Sequence, residues 1–418
     1  MRVLLAFWDG GEGHLARVAY LARLLDVRGH QCLILSSQAK AARVQQLAPS
    51  AKVRQIENRP SGTRQVRSST PTYSHAFRHA QRRLALGFDD NQFLLGNTNQ
   101  IISVIRDFRP NVIVNDYHDT VRIAADAADT PLISIAMAHG LRSGATLGAW
   151  KEHELGDRLL PDCLDSFNHV RSVFGLQPYQ DERETFEGQL NMVPSCPVLD
   201  PLEQRATDIY VGPIVSPLAA RKRGRQRPIV VSYLAEGNNR PSSSYPQALA
   251  QVIAAEHNVD FVVLGGARYA HWFDAGEVFR GMVEPGDYLT LIGDADLVIT
   301  HGGTTLVHAL ERSVPVLCLP WTSSEAAWAV RTEEHGSGML YPSYREPLEW
   351  RIDPQVHSAI PVAGHWSLEV TANGLRQAIR QILHEPGYRR AAIDLSQRLA
   401  VARAKTNLAD VVEGIASR

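Results

Sequence analysis

Short apolar runs alternate with segments of helical period at the start of the chain. Residues 2–8 form an apolar run that predicts a buried strand, and residues 14–28 carry apolar side chains at helical spacing. Gly29 is well placed to end that helix, and the apolar run at 31–37 predicts the next strand. Strand, helix and strand at this spacing form a βαβ unit, so the pattern predicts a parallel sheet.

The same alternation resumes after an irregular interval. Between about 52 and 90 the sequence is irregular and rich in Arg and His, and a loop of this length inside a compact domain is often part of a binding site. Beyond it, the periodic segment 100–107 precedes a strand at 111–116, a helix at 119–129 and a strand at 131–137. We therefore expect an α/β domain in the first half of the chain.

A second α/β series occupies the other half. Its predicted elements are a strand at 229–234, a helix from about 245 to 256, strands within 260–266 and 296–303, a helix through 311, a strand at 315–320 and helical segments at 369–384 and 387–416. The two halves share one architecture, and 418 residues exceed one ordinary core, so two domains are expected.

The division between the domains is predicted from a segment rich in proline, arginine and lysine at 213–228. We expect an N-terminal domain at 1–218, a basic linker at 219–228, a C-terminal domain at 229–400 and a C-terminal helix at 401–418 that packs back on the N-terminal domain. A nucleic-acid-binding patch is the alternative for the linker. It is disfavoured because no aromatic residues interleave with the charges.

Composition limits the kinds of partner. With 43 Lys and Arg residues against 44 Asp and Glu residues the net charge is -1, so no global field attracts nucleic acid or a membrane surface. Any anionic ligand must be bound by local groups. Four cysteines, with no pair at metal-ligand spacing, predict buried thiols in a reducing compartment. The first apolar run is too short for a signal peptide and no run approaches the ~18 residues of a membrane span, so we expect a soluble, cytoplasmic protein.

The motif THGGTTL at 300–306 ends an apolar run with residues suited to holding an anion. Its two glycines let the backbone turn sharply, and Thr304 or Thr305 can cap the helix that follows. A helix N-terminus at the carboxyl end of a parallel strand favours negative charge, so a phosphate is the natural occupant, with His301 as an additional donor. The alternative is a strand-to-helix turn without a ligand, because glycine doublets are common in turns.

A second glycine-rich turn follows the first strand. Gly10, Gly11 and Gly13 precede His14, and Asp116 ends another predicted strand at what should be the same edge of the same sheet. A carboxylate beside one imidazole nitrogen fixes the tautomer and raises the basicity of the other nitrogen. Nothing in the sequence places a serine nucleophile in such a pair. We therefore expect His14, paired with Asp116, to remove a proton from a hydroxyl of a bound substrate.

Three stretches of the chain carry a resemblance to a known family. The segments GEGHLARVAYLARLLDVRGHQCLIL, DIYVGPI and DADLVITHGGTTLVHALERSVPVLCLPWTSSEAAWAVRTEEHGSGML resemble the inverting, nucleotide-sugar-dependent glycosyltransferases of family 1, in particular bacterial enzymes that decorate small molecules. The similarity covers both halves of the chain and their spacing. It implies a GT-B fold, with two Rossmann-like domains facing across a cleft, the acceptor in the N-terminal domain and the nucleotide sugar in the C-terminal domain.

The resemblance also implies roles for individual residues. His14 matches the family's general base, and Asp116 matches the aspartate that pairs with it. The positions that match the family's contacts to the donor diphosphate are His301, Gly302, Gly303, Thr304, Thr305 and Ser232. The acceptor oxygen would attack the anomeric carbon from the face opposite the diphosphate, through a transition state like an oxocarbenium ion. The co-substrate would be a nucleoside diphosphate sugar, of uridine or thymidine, and no cofactor or metal would be required.

Two departures from the family pattern concern the donor sugar. The loop HGGTTL is one residue shorter than the family's usual form, and His308 stands where a glutamate normally binds the ribose hydroxyls. Ser324 and Glu325 replace the Asp-Gln pair that contacts the sugar, and an ionised glutamate only accepts hydrogen bonds whereas glutamine also donates them. Glucose is therefore not assumed, and a deoxy- or amino-sugar is a hypothesis that fits.

The sequence as a whole predicts an inverting glycosyltransferase that moves a sugar from a nucleoside diphosphate to a hydroxyl of a hydrophobic small molecule, of the kind met in natural-product and antibiotic biosynthesis. One alternative is a sugar-nucleotide epimerase on the same fold, which needs no acceptor pocket. Another is a non-catalytic relative that binds a nucleotide or a partner protein, an alternative left open by the short loop and by Ser324 and Glu325. The presence of His14 and Asp116 argues against it.

Overall fold

The structure is a computed structural model. It describes residues 1–57, 83, 87–144, 163–203, 205–215, 226–234, 244–273, 278–281, 283, 285–320, 323–341, 350–353, 358–361 and 370–417. Most of the predicted basic linker and most of the irregular interval between 52 and 90 lie outside these residues.

The first half of the chain builds a seven-stranded sheet in the order β3-β2-β1-β4-β5-β6-β7, and every neighbouring pair is parallel. Its strands are β1 (Arg2–Phe7), β2 (Gln31–Ser36), β3 (Lys52–Gln55), β4 (Val112–Asp116), β5 (Leu132–Ile135), β6 (Leu190–Val193) and β7 (Asp208–Tyr210). The helices of this half are α1 (Glu12–Val27), α2 (Gln38–Leu47), α3 (Asn91–Phe108), α4 (Val121–Ala127) and α5 (Leu164–Val173). Strands β1 and β4 are buried almost throughout, as expected for the centre of a sheet covered on both faces.

The second half builds a six-stranded parallel sheet in the order β10-β9-β8-β11-β12-β13. Its strands are β8 (Ile229–Leu234), β9 (Asp260–Gly265), β10 (Phe279–Gly281), β11 (Leu297–Thr300), β12 (Val316–Cys318) and β13 (Gly338–Leu340). A separate antiparallel pair is formed by β14 (Trp350–Asp353) and β15 (Ser358–Pro361). The helices are α6 (Tyr245–Ala255), α7 (Pro285–Asp294), α8 (Gly303–Glu311), α9 (Ser323–Glu334), α10 (Ala372–His384), α11 (Pro386–Ala404) and α12 (Leu408–Ala416).

The C-terminal helix α12 contacts the first half of the chain. Its apolar residues Leu408, Val412 and Ile415 belong to the same buried cluster as the inner face of α1. At the rim, Asp410 and Glu413 form ion pairs with Arg28 just beyond α1. The chain therefore returns from the second sheet to pack on the first.

The strand and helix types predicted from the pattern are confirmed, with differences at the boundaries. The periodic segment 387–416 is two helices, because the Asn407 side chain accepts hydrogen bonds from the backbone N–H groups of Ala409 and Asp410 and starts α12 anew. The interval from 52 to 90 opens with β3, a mostly exposed edge strand without the apolar side chains that would have revealed it. The segment 100–107 is the end of the longer α3.

Membrane and thiol features complete the architecture. None of the helices within the described residues is long and apolar enough to cross a membrane. The four cysteines are buried free thiols, as predicted. Burial raises the pKa of Cys32 to about 12, so that thiol stays protonated and unreactive near neutral pH.

Candidate active site

The first half of the site lies where β1 and β4 end. The parallel pairing of these strands sets Phe7 beside Asp116, and the turn after β1 leads into α1, whose first turn carries His14. Nδ1 of His14 lies 2.7 Å from Oδ1 of Asp116. The His14 side chain is 21% exposed and that of Asp116 is 0% exposed. The pair predicted from the sequence is therefore brought together, with the imidazole reachable from outside and the carboxylate buried behind it.

Arg17, which the sequence analysis did not single out, completes this half of the site. It lies one helical turn after His14, is 6% exposed, and forms a two-point contact with Asp116 through Nε to Oδ2 at 2.7 Å and Nη2 to Oδ1 at 2.9 Å. Its Nη2 also lies 2.9 Å from Nδ1 of His14. A charged residue three positions after the candidate base, on a helix face that packs inward, was the available sequence signal.

The charge state of Asp116 follows from these contacts. Burial alone would raise the pKa of the carboxyl, but the positive charge of Arg17 and the hydrogen bonds from His14 and Arg17 outweigh burial and hold that pKa below its ordinary value. Asp116 is therefore an ionised hydrogen-bond acceptor for His14 at neutral pH.

Aromatic rings surround the imidazole. Trp8 meets His14 edge to face with ring centroids 5.4 Å apart, and Tyr117 does so at 5.7 Å. The ring of Phe186 lies 4.9 Å from that of Tyr117. Tyr117 has a positive φ of 62°, an unusual backbone conformation for a bulky residue immediately after the strand that carries Asp116. The candidate base thus has aromatic rings beside it in addition to its charged partners Asp116 and Arg17.

The second half of the site is the turn between β11 and α8. Gly302 has φ of 119°, a conformation that L-residues with side chains rarely adopt, and an added Cβ would lie 3.0 Å from Cβ of Glu325. Gly302 is the N-cap, without a side-chain cap, so the prediction that Thr304 or Thr305 caps this helix is wrong. Instead the Thr300 hydroxyl accepts a hydrogen bond from the Gly302 N–H and closes the turn.

This helix start is suited to an anion. The first backbone N–H groups of an α-helix have no partner within the helix, and no side chain caps those of α8. Gly303 has φ of 61°, and a Cβ at this position would meet no atom within 4 Å. Open space therefore adjoins N–H groups at the positive end of a helix dipole, at the carboxyl edge of a parallel sheet.

His301 and Glu325, for which separate contacts were expected, lie side by side. Nε2 of His301 is 3.3 Å from Oε1 of Glu325, and both side chains are largely buried. The ring of Tyr233 lies 5.7 Å from that of His301. Glu325 therefore orients the imidazole beside the turn as well as presenting a carboxylate there.

The other residues predicted to bind the nucleotide sugar differ in their surroundings. Thr305 is buried and its hydroxyl accepts a hydrogen bond from Tyr288 at 2.7 Å. Ser232 is 0% exposed and its hydroxyl lies 2.6 Å from that of Tyr245. This geometry gives Ser232 a partner inside the domain and does not support the predicted phosphate contact. Ser324 lies in the first turn of α9, and its side chain is outside the described part of the structure.

His308, noted in the sequence for replacing a glutamate, is buried in α8. Its ring meets that of Tyr288 edge to face with centroids 5.7 Å apart. Burial, together with the charges of Arg17 and Arg403, lowers the pKa of His308 to about 3, so the ring is neutral at physiological pH. A buried neutral ring cannot copy the charged acceptor that a glutamate would supply.

The two halves of the site touch at Thr304. Nη1 of Arg17 lies 3.3 Å from Oγ1 of Thr304, and a Cβ on Gly13 would lie 2.2 Å from the same oxygen. Only glycine at position 13 allows α1 to approach α8 so closely. A second link joins Asp200 to α9, where the indole N–H of Trp328 donates to Oδ2 at 2.8 Å.

The described side chains include no arrangement typical of a metal site. Within the residues that the structure describes, no group of three or more His, Cys, Asp or Glu side chains is arranged to hold a metal ion.

Two parallel-sheet α/β domains joined in this way define the GT-B fold, as predicted, and solved structures agree. Spinosyn Rhamnosyltransferase SpnG, complexed with spinosyn aglycone, is 19% identical with a TM-score of 0.65 over 99% of this chain and 100% of that chain. The glycotransferase of kitacinnamycin is 17% identical with a TM-score of 0.69, over 99% of this chain and 98% of that one. CalG4, the calicheamicin glycosyltransferase, is 16% identical with a TM-score of 0.67, over 100% of this chain and 99% of that chain.

Comparisons at the level of sequence, unlike the comparison of structures, find no match. Neither a family model nor a curated protein matches this chain. At identities below one fifth, the structural likeness shows the fold, and the activity must be argued from the site itself.

Proposed function

We propose that the protein is a glycosyltransferase that moves a sugar from a nucleoside diphosphate to a hydroxyl group of a small molecule. One observation carries the proposal: the His14–Asp116 pair of the first domain adjoins the uncapped start of α8 in the second domain, with Thr304 in contact with Arg17. A base for a hydroxyl and a cradle for a phosphate, side by side, are what such a transfer requires.

The proposed reaction is a single displacement. With Nδ1–H donated to Asp116, Nε2 of His14 holds a lone pair and takes the proton of the acceptor hydroxyl. The acceptor oxygen forms a bond to the anomeric carbon as the bond to the diphosphate breaks, through a transition state like an oxocarbenium ion. Attack from the opposite face inverts the anomeric configuration. The products are the glycoside, the nucleoside diphosphate and a proton.

The leaving diphosphate gains charge as the bond breaks. The N–H groups at the start of α8 and the dipole of that helix stabilise negative charge at this position. His301, oriented by Glu325, supplies a further polar group beside the turn. The proposal involves no cofactor or metal, and we expect a chelator to leave the activity unchanged.

The acceptor side favours an apolar ligand. The rings of Trp8 and Tyr117 lie against the base, and such aromatic contacts suit a hydrophobic acceptor that presents a hydroxyl. SpnG is described in complex with spinosyn aglycone. We propose that this protein likewise acts on a hydrophobic small molecule, such as a natural product.

The donor side favours a nucleoside diphosphate sugar of uridine or thymidine. SpnG is described with thymidine diphosphate and VinC with DTDP. Glu325 presents only acceptor oxygens when it is ionised, so it reads the sugar hydroxyls differently from a glutamine. We therefore propose a deoxy- or amino-sugar as the transferred group.

The experiment that tests the function has two stages. Uridine and thymidine diphosphates and their sugars are first screened for protection of the protein against thermal unfolding, because a ligand of the folded state raises the midpoint. The stabilising sugar nucleotides are then incubated with hydrophobic alcohols and phenols, and products are identified by mass spectrometry and by the anomeric configuration in NMR spectra.

The outcomes separate the candidate functions. A glycoside of inverted configuration supports the proposal, and turnover of UDP-glucose alone would refute the proposed deoxy- or amino-sugar. A new sugar nucleotide formed without any acceptor would identify an epimerase instead. Binding without any product across the panel would favour the non-catalytic alternative.

A further inference from the structure

Arg17 lies at the meeting point of the two half-sites. Through Nε and Nη2 it holds both carboxylate oxygens of Asp116, and through Nη1 it contacts the Thr304 hydroxyl of the other domain. Asp116 in turn contacts His14. One guanidinium thus joins the candidate base to the turn that is proposed to hold the donor.

We propose that Arg17 is a positioning residue for the transfer reaction, which aligns and keeps ionised the partner of His14 and couples that pair to the phosphate-binding turn through Thr304. This inference rests on the proposed function and assigns to that site a residue with no role in the mechanism above.

Arg17 balances a buried charge. Asp116 is fully buried, and a neutral imidazole does not balance a carboxylate in such surroundings. Arg17 supplies the missing positive charge with two-point geometry, which Lys could not reproduce. The carboxylate can therefore stay ionised while His14 is still unprotonated, which is the state that a base needs before the reaction.

Arg17 also lies beside the nitrogen that sets the tautomer of His14. Nδ1 lies 2.7 Å from an acceptor, Oδ1 of Asp116, and 2.9 Å from a donor, Nη2 of Arg17. A guanidinium only donates and a carboxylate only accepts, and Nη2 also donates to Oδ1 of Asp116 at 2.9 Å, so Nδ1 of His14 can keep its proton and donate it to the same carboxylate oxygen. Only the form with Nδ1–H donated to Asp116 leaves Nε2 free to take a proton. The position of the guanidinium therefore affects how much of His14 is ready to act.

The charge near His14 changes during the proposed reaction. Among the charged or titratable groups placed against His14 are Asp116 at the end of β4, Tyr117 directly after it and Arg17 on the same helix as His14, while Trp8 beside the ring carries no charge. When His14 takes a proton, it becomes a cation beside the cation Arg17, a cost that the diphosphate at the start of α8 offsets. Arg17 therefore links proton uptake at His14 to the presence of the donor.

The test compares two substitutions of Arg17 by pH–rate profiles and by binding of a nucleoside diphosphate. In Arg17→Met the ion pair of His14 and Asp116 loses its competing cation, so protonated His14 is favoured. We expect kcat at pH 7 to fall about 30-fold or more, with partial recovery at high pH as the acid limb of the profile moves up by about one pH unit. Diphosphate binding should change by less than about threefold.

Arg17→Lys keeps a positive charge beside the buried carboxylate and so guards against loss of the fold. We expect a folded protein with kcat between those of the wild type and Arg17→Met and with the acid limb close to that of the wild type. If Arg17→Met does not fold, a lowered kcat of Arg17→Lys at unchanged donor binding still supports the inference. The control is Arg23→Met, on the same helix but exposed, which should behave as the wild type.

The link to Thr304 is tested by a double-mutant cycle. Thr304→Val should reduce kcat in the wild type and have little further effect in Arg17→Lys, because the contact is already broken. Additive losses would overturn the link.

The failures of the inference and of the proposed function are distinguishable. Arg17 variants that match the wild type in kcat and in the pH profile, in a protein that transfers sugar, overturn this inference alone. A wild-type protein that neither binds nucleoside diphosphates nor transfers sugar overturns the proposed function and this inference together.

Discussion

Asp116 Oδ1 lies 2.7 Å from Nδ1 of His14, although 102 positions separate the two residues in the chain. The contact exists because β1 and β4 are parallel neighbours, so that the ends of both strands lie at one edge of the sheet. The same carboxylate accepts two hydrogen bonds from Arg17. Removing its charge should therefore affect both the stability and the chemistry of the protein.

The first prediction concerns Asp116→Asn. The substitution leaves Arg17 buried without its counter-charge and allows the His14 tautomer that cannot act as a base. We expect the free energy of unfolding to fall by about 3–5 kcal/mol and kcat to fall by about 10²- to 10⁴-fold. Denaturant unfolding and steady-state kinetics measure the two effects.

A matched control is Asp410→Asn, which removes an exposed partner of Arg28. We expect this substitution to lower the free energy of unfolding by less than about 1 kcal/mol, because exposed ion pairs contribute little to stability. Equal effects of the two substitutions would contradict the assignment of a special role to Asp116.

The second prediction concerns the open space beside Gly303. Gly303→Ala places a methyl group where the donor diphosphate is proposed to bind, in a backbone conformation with φ of 61°. We expect a backbone cost of about 1–2 kcal/mol and a loss of nucleoside diphosphate affinity of about tenfold or more. Isothermal calorimetry with uridine and thymidine diphosphates gives the affinity.

Gly29→Ala separates these two effects. Gly29 has φ of 76°, also with no atom within 4 Å of a Cβ, but it lies at the far end of α1. We expect Gly29→Ala to lower the free energy of unfolding by a similar amount and to leave the affinity for nucleoside diphosphates unchanged. If Gly29→Ala weakens binding as much as Gly303→Ala does, the turn is not the phosphate site.

The pattern of apolar residues was sufficient to predict much of the fold and half of the site. Buried parallel strands are continuous apolar runs, so β1, β4, β8 and β11 were recognisable, and the residues at their carboxyl ends follow from topology. The approach of His14 to Asp116 was predictable for that reason. The edge strand β3 was not, because its exposed positions carry no apolar period.

Side-chain contacts between distant elements, both within a domain and between the two domains, could not be predicted. The meeting of Arg17 with Thr304, and the pairing of His301 with Glu325, depend on how helices and turns from distant parts of the chain are oriented. Ser232 shows the same limit, because its position in the motif predicts a phosphate contact, whereas in the structure its hydroxyl lies 2.6 Å from that of Tyr245. The position of a residue at the end of a strand predicts the edge of the sheet where the residue lies. It does not predict the direction in which the side chain points.

The third prediction concerns acid stability. His308 has a folded-state pKa of about 3 against 6.5 for an exposed imidazole, so between these values the unfolded state binds a proton that the folded state does not. The contribution of the neutral His308 ring to the free energy of unfolding is therefore fully present above pH 6.5. It decreases by about 1.4 kcal/mol per pH unit as the pH falls below this value. Between pH 7 and pH 5, we expect the free energy of unfolding of His308→Leu to fall by about 2 kcal/mol less than that of the wild type.

Denaturant unfolding at the two pH values tests this prediction. The control is His169→Leu on the exposed face of α5, where the ring is in contact with water in both states. An unchanged pH dependence in His308→Leu would mean that the buried ring is already protonated or hydrated in the folded protein.

The central claim is that His14 is the base for the acceptor hydroxyl, and His14→Ala tests it most directly. Transfer and nucleoside diphosphate binding are measured on the same preparations of wild type, His14→Ala and the exposed-site control His169→Ala. The account predicts that His14→Ala loses about 10²- to 10⁴-fold in kcat while its diphosphate affinity and the activity of the control stay unchanged. Transfer by His14→Ala at a rate within about tenfold of the wild type would contradict it.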